Sequence, residues 1–218
     1  MRNPIQLLIG LTEILRKKTI DKEQQELQDI VIENAKRLKQ LIDDVLDITL
    51  IESQSFELHK EHFNLNELTK NALSCLNQIQ KENKYNTRID IVSDYEERVN
   101  VYADRNRINQ VIYNLLDNAI KFTNKEITNN YSFGKIIVDL KKKDNDVTIN
   151  FKDNGKGIDL QIFPRLFEKF ATRSITGGTG LGLFISKSII EAHGGKIWAK
   201  NNEDGKGATI SFSLPLKI

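Results

Sequence analysis

From Ile5 to Glu52 the apolar residues recur in alternating steps of three and four, and this spacing constrains the fold more than any other feature. Ile5, Leu8, Thr12 and Leu15 come first, then Leu27, Val31, Asn34, Leu38, Leu41, Val45 and Ile48. This is a heptad seam, and it predicts two helices joined near residues 19–22, the second capped by Asp21. Two helices alone leave an apolar stripe wet on each, so the pattern predicts a homodimer with four helices packed together. The alternative is a hairpin folded against the rest of its own chain. Asn34 on the seam is suited to setting register.

Between residues 53 and 63 the period shortens to alternation (Phe56, Leu58), which predicts a strand or linker at the boundary, taken as the linker between a hairpin domain at 1–52 and a second domain at 64–218. Asn64 with Glu67 three residues on predicts a capped helix to about Glu82. Short strands are expected at Ile89–Val92 and Val101–Ala103, and Asp104 should cap a helix through about Phe122. KIIVDLKK and DVTINFKD, parted by a polar turn at residues 144–146, predict two more strands. A helix at 181–193 and strands at 196–199 and 208–214 complete the pattern. Helices and mostly antiparallel strands are segregated rather than alternating, so the fold class is α+β: a helical hairpin followed by an α/β sandwich.

Lys plus Arg at 32 against Asp plus Glu at 30 leaves a net charge of +2, which gives no electrostatic reason to expect a nucleic-acid or membrane-surface partner, and none is expected. Any phosphate site must be local. The single cysteine, Cys75, cannot form an internal disulfide and is expected to be a packing residue, so the expected compartment is the cytoplasm. No apolar run approaches the roughly 18 residues of a membrane span, and a membrane anchor, if the parent protein has one, is expected outside this chain.

Four segments of the second domain carry unusual residue choices: NLLDNAIKFT (114–123), DNGKGI (153–158), IFPRLFEKF (162–170) and GGTGLGL (177–183). In this order and spacing they resemble the asparagine box, first glycine box, phenylalanine box and second glycine box of sensor histidine kinases, within the wider fold shared with gyrase, mismatch-repair and heat-shock chaperone ATPases. The closing AHGGKIWAKNNEDGKGATISFSLPL is similar to that family's last strand pair.

The residues of each segment suit such a site. Asn114 and Asn118 lie four apart on one helical face, so their amide oxygens can converge on a hard cation such as Mg²⁺. Lys121 is on the next turn, where an ammonium can meet a phosphate; taken alone, the two asparagines could equally be solvated or capping residues. Asp153 ends a strand with an apolar approach (Val147, Ile149, Phe151), where a carboxylate can accept from an adenine amino group, and Gly155 and Gly157 allow close approach of the backbone. A plain hairpin turn explains DNG as well. GGTGLGL precedes a helix, so backbone amides and the positive helix end can face phosphates. Phe163, Leu166, Phe167 and Phe170 read as apolar anchors of a lid or as plain core, with Lys169 and Arg173 placed to reach a γ-phosphate.

The resemblance implies ATP and Mg²⁺ as ligands, with Asn118 the main metal ligand, Asn114 supporting it, Lys121 on the phosphates and Asp153 reading adenine. It adds Phe122, Ile158, Thr179, Gly180, Leu181, Gly182, Leu183 and Thr209 to the nucleotide-binding set. The ATPase relatives place a glutamate at the position of Asn114 as general base, and an amide cannot take that proton, so a kinase is favoured. A serine-kinase anti-sigma factor shares the boxes but lacks the hairpin. The implied partners are a second copy of the chain and a response-regulator receiver domain.

Arg2–Ile5 (RNPI) matches the end of the family's histidine box, which puts the phospho-accepting histidine two positions before Met1 and its acidic neighbour one before. A fragment cut inside the motif is the simplest expectation, and a degenerate protein is the other. Asn3 falls at the position linked to response-regulator dephosphorylation. Pro4 should begin or kink the regular helix. His59 and His62 are expected on opposite faces, and His193 as a helix C-terminal cap. Two functions remain open: an ATP-using phosphotransfer enzyme, and a non-catalytic dimeric nucleotide-binding module.

Overall fold

The computed structural model describes residues 2–53, 55–82, 89–95, 98–124, 134–171, 179–203 and 205–216. The chain divides into two compact units, residues 1–56 and 57–218.

The first unit is a helical hairpin of α1 (Arg2–Lys18) and α2 (Lys22–Glu52). Asp21 caps α2 as expected, its carboxylate accepting from the Glu23 N–H at 3.0 Å. Arg16 and Asp29 form a two-point ion pair across the helix pair. Within one chain the hairpin buries Ile9, Ile32 and Ala35, while Leu8, Leu15, Leu27, Val31, Leu38 and Val45 of the seam stay exposed. Asn34 is also exposed and donates to Ile30 O of its own helix at 2.8 Å.

In the second unit β1 (Glu61–Asn64) pairs antiparallel with β3 (Asn100–Ala103). The main sheet has the order β2-β4-β5-β7-β6, from β2 (Ile89–Tyr95), β4 (Gly134–Lys143), β5 (Asp146–Asp153), β6 (Lys196–Asn201) and β7 (Ala208–Pro215). Among the described residues only the β2–β4 pair is parallel. Helices α3 (Leu65–Glu82), α4 (Arg105–Asn124) and α5 (Gly182–Ala192) pack against this sheet and against each other. The fold is α+β, as expected.

Strand alternation builds the core. Val147, Ile149, Phe151 and Asp153 of β5 are buried in turn, and register sets Phe151 opposite Ile210, Ile149 opposite Phe212 and Val147 opposite Leu214. The rings of Phe151 and Phe212 stack at 6.2 Å. Onto that face α4 brings Ile108, Val111, Ile112, Leu115 and Leu116, and α5 brings Ile185, Ile189 and Ile190, all fully buried or nearly so. Each such side chain contributes about 1.5–3 kcal/mol of transfer free energy.

Helix starts follow the expected chemistry. Asn64 Oδ1 accepts from the Glu67 N–H at 2.8 Å, and the Glu67 carboxylate takes Arg98 at 3.0 Å. Asp104 Oδ1 accepts from the N–H groups of Asn106 and Arg107 at 3.1 Å each, closing the start of α4.

One boundary is refined and one expectation is corrected. The segment 53–63 is not all linker: from Glu57 it belongs to the second unit, Glu61–Asn64 is a paired strand, and the His59 N–H donates to Asp104 Oδ2 at 2.9 Å. A strand this short carries too few alternating residues to be told from a linker in sequence. Cys75, expected to pack, is exposed on α3.

Candidate functional site

In the second unit the asparagine segment on α4 meets the turn after β5 at Phe122 and the first turn of α5 at Asn114. Asp153 is 7% exposed at the last position of that strand. Its Oδ1 accepts from the N–H of Gly155 at 2.9 Å and of Ala208 at 3.3 Å. Burial pushes the carboxyl pKa above its ordinary value, and these backbone donors oppose the shift.

The glycines here are steric requirements. A Cβ on Gly155 would lie 2.8 Å from Phe122 O, so only glycine lets the Asp153 turn meet the backbone of α4. Gly157 has φ +76, and a Cβ there would lie 2.9 Å from Asn201 Oδ1. Asn201 grips the next residue at both ends: Ile158 N donates to Oδ1 at 2.7 Å, and Nδ2 donates to Ile158 O at 2.9 Å. Gly207, which the sequence reading did not single out, has φ +75, and a Cβ there would sit 2.0 Å from Asp153 O.

Asn114, Asn118 and Lys121 fall on successive turns of α4. Asn114 and Asn118 are half-buried. Asn114 Nδ2 lies 3.4 Å from Gly182 O and 3.5 Å from Ser186 Oγ on α5, which leaves Oδ1 for a ligand. Ser186, also missed in sequence, is fully buried and donates to Gly182 O at 2.8 Å. Lys121 pairs with Asp117 one turn back on the helix surface. Phe122 is half-exposed, with Lys156 Nζ 5.7 Å from its ring centre.

Of the second glycine box, Gly177 and Gly178 lie outside the described residues, as does Arg173. Thr179 Oγ1 accepts from the Leu181 N–H at 3.2 Å, Gly180 has φ +70, and Leu181 is buried. Leu181 offers no side-chain cap, so the first turn of α5, with Gly182 and half-buried Leu183, keeps its backbone donors for a ligand. Lys169 Nζ lies 5.1 Å from the ring centre of Phe184 on that turn. Phe163, Leu166 and Phe167 are half-buried, but Phe170 is 68% exposed with φ +60, so it is not an anchor in this conformation.

Thr209 is corrected. It stands opposite Lys152 in the β5–β7 register, one residue out of phase with Asp153, so its side chain lies on the other face of the sheet. There its hydroxyl donates to Asn202 Oδ1 at 2.7 Å. Ala208, whose N–H reaches Asp153, occupies the position on the Asp153 face. A slip of one residue moves a side chain across the sheet, and motif matching does not resolve such a slip.

His193 caps the C-terminus of α5, as expected, but does more. Nδ1 donates to Ile189 O at 2.8 Å, and Nε2 accepts the Asp104 N–H at 2.9 Å, which defines a neutral ring. Burial pushes its pKa below the ordinary value, against the Ile189 bond, and Lys60 lowers it further. Asn3 lies in the first turn of α1, away from all of these groups in sequence.

Known proteins place the chain in the same setting. Residues 103–218 match the family described as histidine kinase-, DNA gyrase B- and HSP90-like ATPases, and residues 1–54 match the His Kinase A (phospho-acceptor) domain. The hybrid signal transduction histidine kinase B of Dictyostelium discoideum is 32% identical over 230 residues, covering 100% of this chain and 11% of that protein. Sensor protein KdpD of Clostridium acetobutylicum is 36% identical over 205 residues, covering 91% of this chain and 21% of that one. The chain thus spans a small part of either relative. Among solved structures, full-length ShkA in complex with AMPPNP superposes with a TM-score of 0.75 at 25% identity, over 98% of this chain and 43% of that one. Histidine kinase ThkA in complex with response regulator protein TrrA gives 0.67 at 31% identity, over 99% and 58%. The chain belongs to the family of histidine kinase-, DNA gyrase B- and HSP90-like ATPases, with a His Kinase A segment ahead of the ATPase-type domain.

Proposed function

We propose that this chain is the ATP-binding kinase core of a two-component sensor histidine kinase, passing the γ-phosphate of ATP to a histidine for relay to a response-regulator aspartate. The observation that carries the reading is the buried Asp153 carboxylate, fixed by two backbone donors beside Gly155 where strand β5 meets α4. Such a group accepts from the exocyclic amino group of adenine.

From that base site the chain's own residues extend toward the phosphates. Asn114, Asn118 and Lys121 follow along α4, and the uncapped first turn of α5 offers N–H groups to phosphate oxygens. Lys121 is held by Asp117 in an exposed pair worth no more than about 1 kcal/mol, so a phosphate can take it over. Asn114 has no proton-accepting group to activate water, which favours transfer to a side chain over hydrolysis.

The donor set also suits magnesium. Among the described residues no cluster of three or more His, Cys, Asp or Glu could hold a metal, and two neutral amide oxygens fit an ion that keeps waters and phosphate oxygens as its other ligands. Bound there, magnesium supplies charge neutralisation at the phosphates. Asn118 and Asn114 would hold it.

The exposed seam residues of α1 and α2 support a homodimer, and the ThkA–TrrA complex supports a receiver domain as partner. Among the described residues no helix is long and apolar enough to cross a membrane, and we assign the chain to the cytoplasm on its single cysteine.

The test supplies a separate hairpin carrying histidine and its acidic neighbour in the two positions before the register of Met1, together with γ-labelled ATP. Acid-labile, base-stable label on that hairpin is expected, and Asn118→Ala should abolish it. ATP binding without transfer would favour a non-catalytic nucleotide-binding module instead.

A further inference from the structure

Behind Asp153, on the opposite face of the sheet, lies a buried side chain with no place in the nucleotide set. Asn202 follows β6 and is 7% exposed. Its Nδ2 donates to Asp153 O at 2.8 Å and to Lys206 O at 2.7 Å, and its Oδ1 accepts from Thr209 Oγ1 at 2.7 Å. Turning the amide over would set oxygen against two carbonyls, so the network fixes its orientation.

This one amide joins the ends of three strands. It ties the last residue of β5 to the turn between β6 and β7, and through Thr209 to the start of β7. Its backbone closes the same turn: Asn202 N donates to Gly207 O at 3.1 Å, and Gly205 N donates to Asn202 O at 3.1 Å. Gly207 in turn presses so close that a Cβ would lie 2.0 Å from Asp153 O. The N–H of Ala208, which reaches the Asp153 carboxylate, hangs on this geometry.

We infer that Asn202 is a positioning residue for base selection: by holding the Asp153 carbonyl and β7 together it aims the Asp153 carboxylate at the 6-amino group of a purine. Thr209 acts through Asn202 and not on the nucleotide. The inference rests on the proposed ATP site but makes a separate demand on it. Loosening Asn202 should erase the preference for an amino-bearing base while sparing the phosphate-side contacts on α4 and α5, which it does not touch.

The experiment measures dissociation constants of residues 1–218 for ATP and for purine riboside triphosphate, which has hydrogen in place of the amino group. The unmodified chain should prefer ATP by about tenfold, the scale of one unmatched buried acceptor. Asn202→Ala should bring the ratio close to one mainly by weakening ATP, and Thr209→Val, a milder change that leaves the amide in place, should lower it part of the way. A ratio unchanged in both variants, or equal weakening of the two ligands, overturns the inference while leaving the ATP site standing. An unmodified chain that binds neither ligand overturns the ATP site itself, and the inference with it.

Discussion

His193 and Asp104 lie 89 residues apart, yet one hydrogen bond joins them, and it has a consequence for pH dependence. Nε2 can accept the Asp104 N–H only while the ring is neutral, and burial favours that state. The histidine pKa is therefore lower in the folded chain than in the unfolded one. The stability it contributes is fully present above the unfolded value of about 6.5 and is lost as pH falls from there toward the folded value. Denaturant midpoints between about pH 8 and pH 5 should drop on the acid side, and His193→Gln should flatten that drop. An unchanged profile in His193→Gln would contradict the assignment. Asp153 has the opposite sign, since its pKa is raised and its contribution declines as pH climbs from 3.8 toward the folded value. Residues of this kind mark the limit of what sequence reveals. Asp104 was legible as a cap because its partners are two and three residues away, whereas its bonds to His59 and His193 cross 45 and 89 residues. Asn202 was illegible for the same reason, its Asp153 partner lying 49 residues distant.

At the scale of elements, local pattern predicted existence and type well. The apolar alternation of Val147, Ile149 and Phe151 placed β5 with Asp153 at its end, and the seam of α2 placed a long helix ending at Glu52. Failure came where the signal was short or one residue out of phase: β1 with four residues could not be told from a linker, and Thr209 was matched to a nucleotide-side threonine although register puts it on the face opposite Asp153. Phe170 was read as an anchor because aromatic spacing cannot distinguish a packed ring from an exposed one. The seam itself carries a prediction. Leu38 is 49% exposed in the single chain and Leu41 is half-buried beside it. Replacing both by Glu would set charges in the middle of the proposed four-helix interface, which costs several kcal/mol unless they are paired. Light scattering should report a dimer for the unmodified chain and a monomer for Leu38→Glu with Leu41→Glu. A monomeric unmodified chain across a range of concentrations would overturn the homodimer.

At the scale of the whole molecule, the proposed function gives the nucleotide to the α+β unit and requires a histidine nucleophile on a hairpin. Residues 1–218 contain three histidines. His193 has both ring nitrogens engaged, and His62 packs on Tyr102 with ring centres 4.8 Å apart. His59 is outside any helix, on the segment before β1. In-line positioning can account for ~7–11 kcal/mol of barrier reduction, so a histidine elsewhere is no substitute for one on the hairpin. Residues 1–218 incubated with γ-labelled ATP should therefore stay unlabelled, and stoichiometric acid-labile phosphate on any of the three would contradict the account. The most direct test of the central claim is calorimetric titration of ATP into residues 1–218 with and without Mg²⁺. The account predicts one site per chain, tighter with Mg²⁺, and weakened in Asp153→Ala by roughly 1–3 kcal/mol, the cost of leaving one buried polar group unmatched. No ATP binding, or an affinity unchanged in Asp153→Ala, would contradict it.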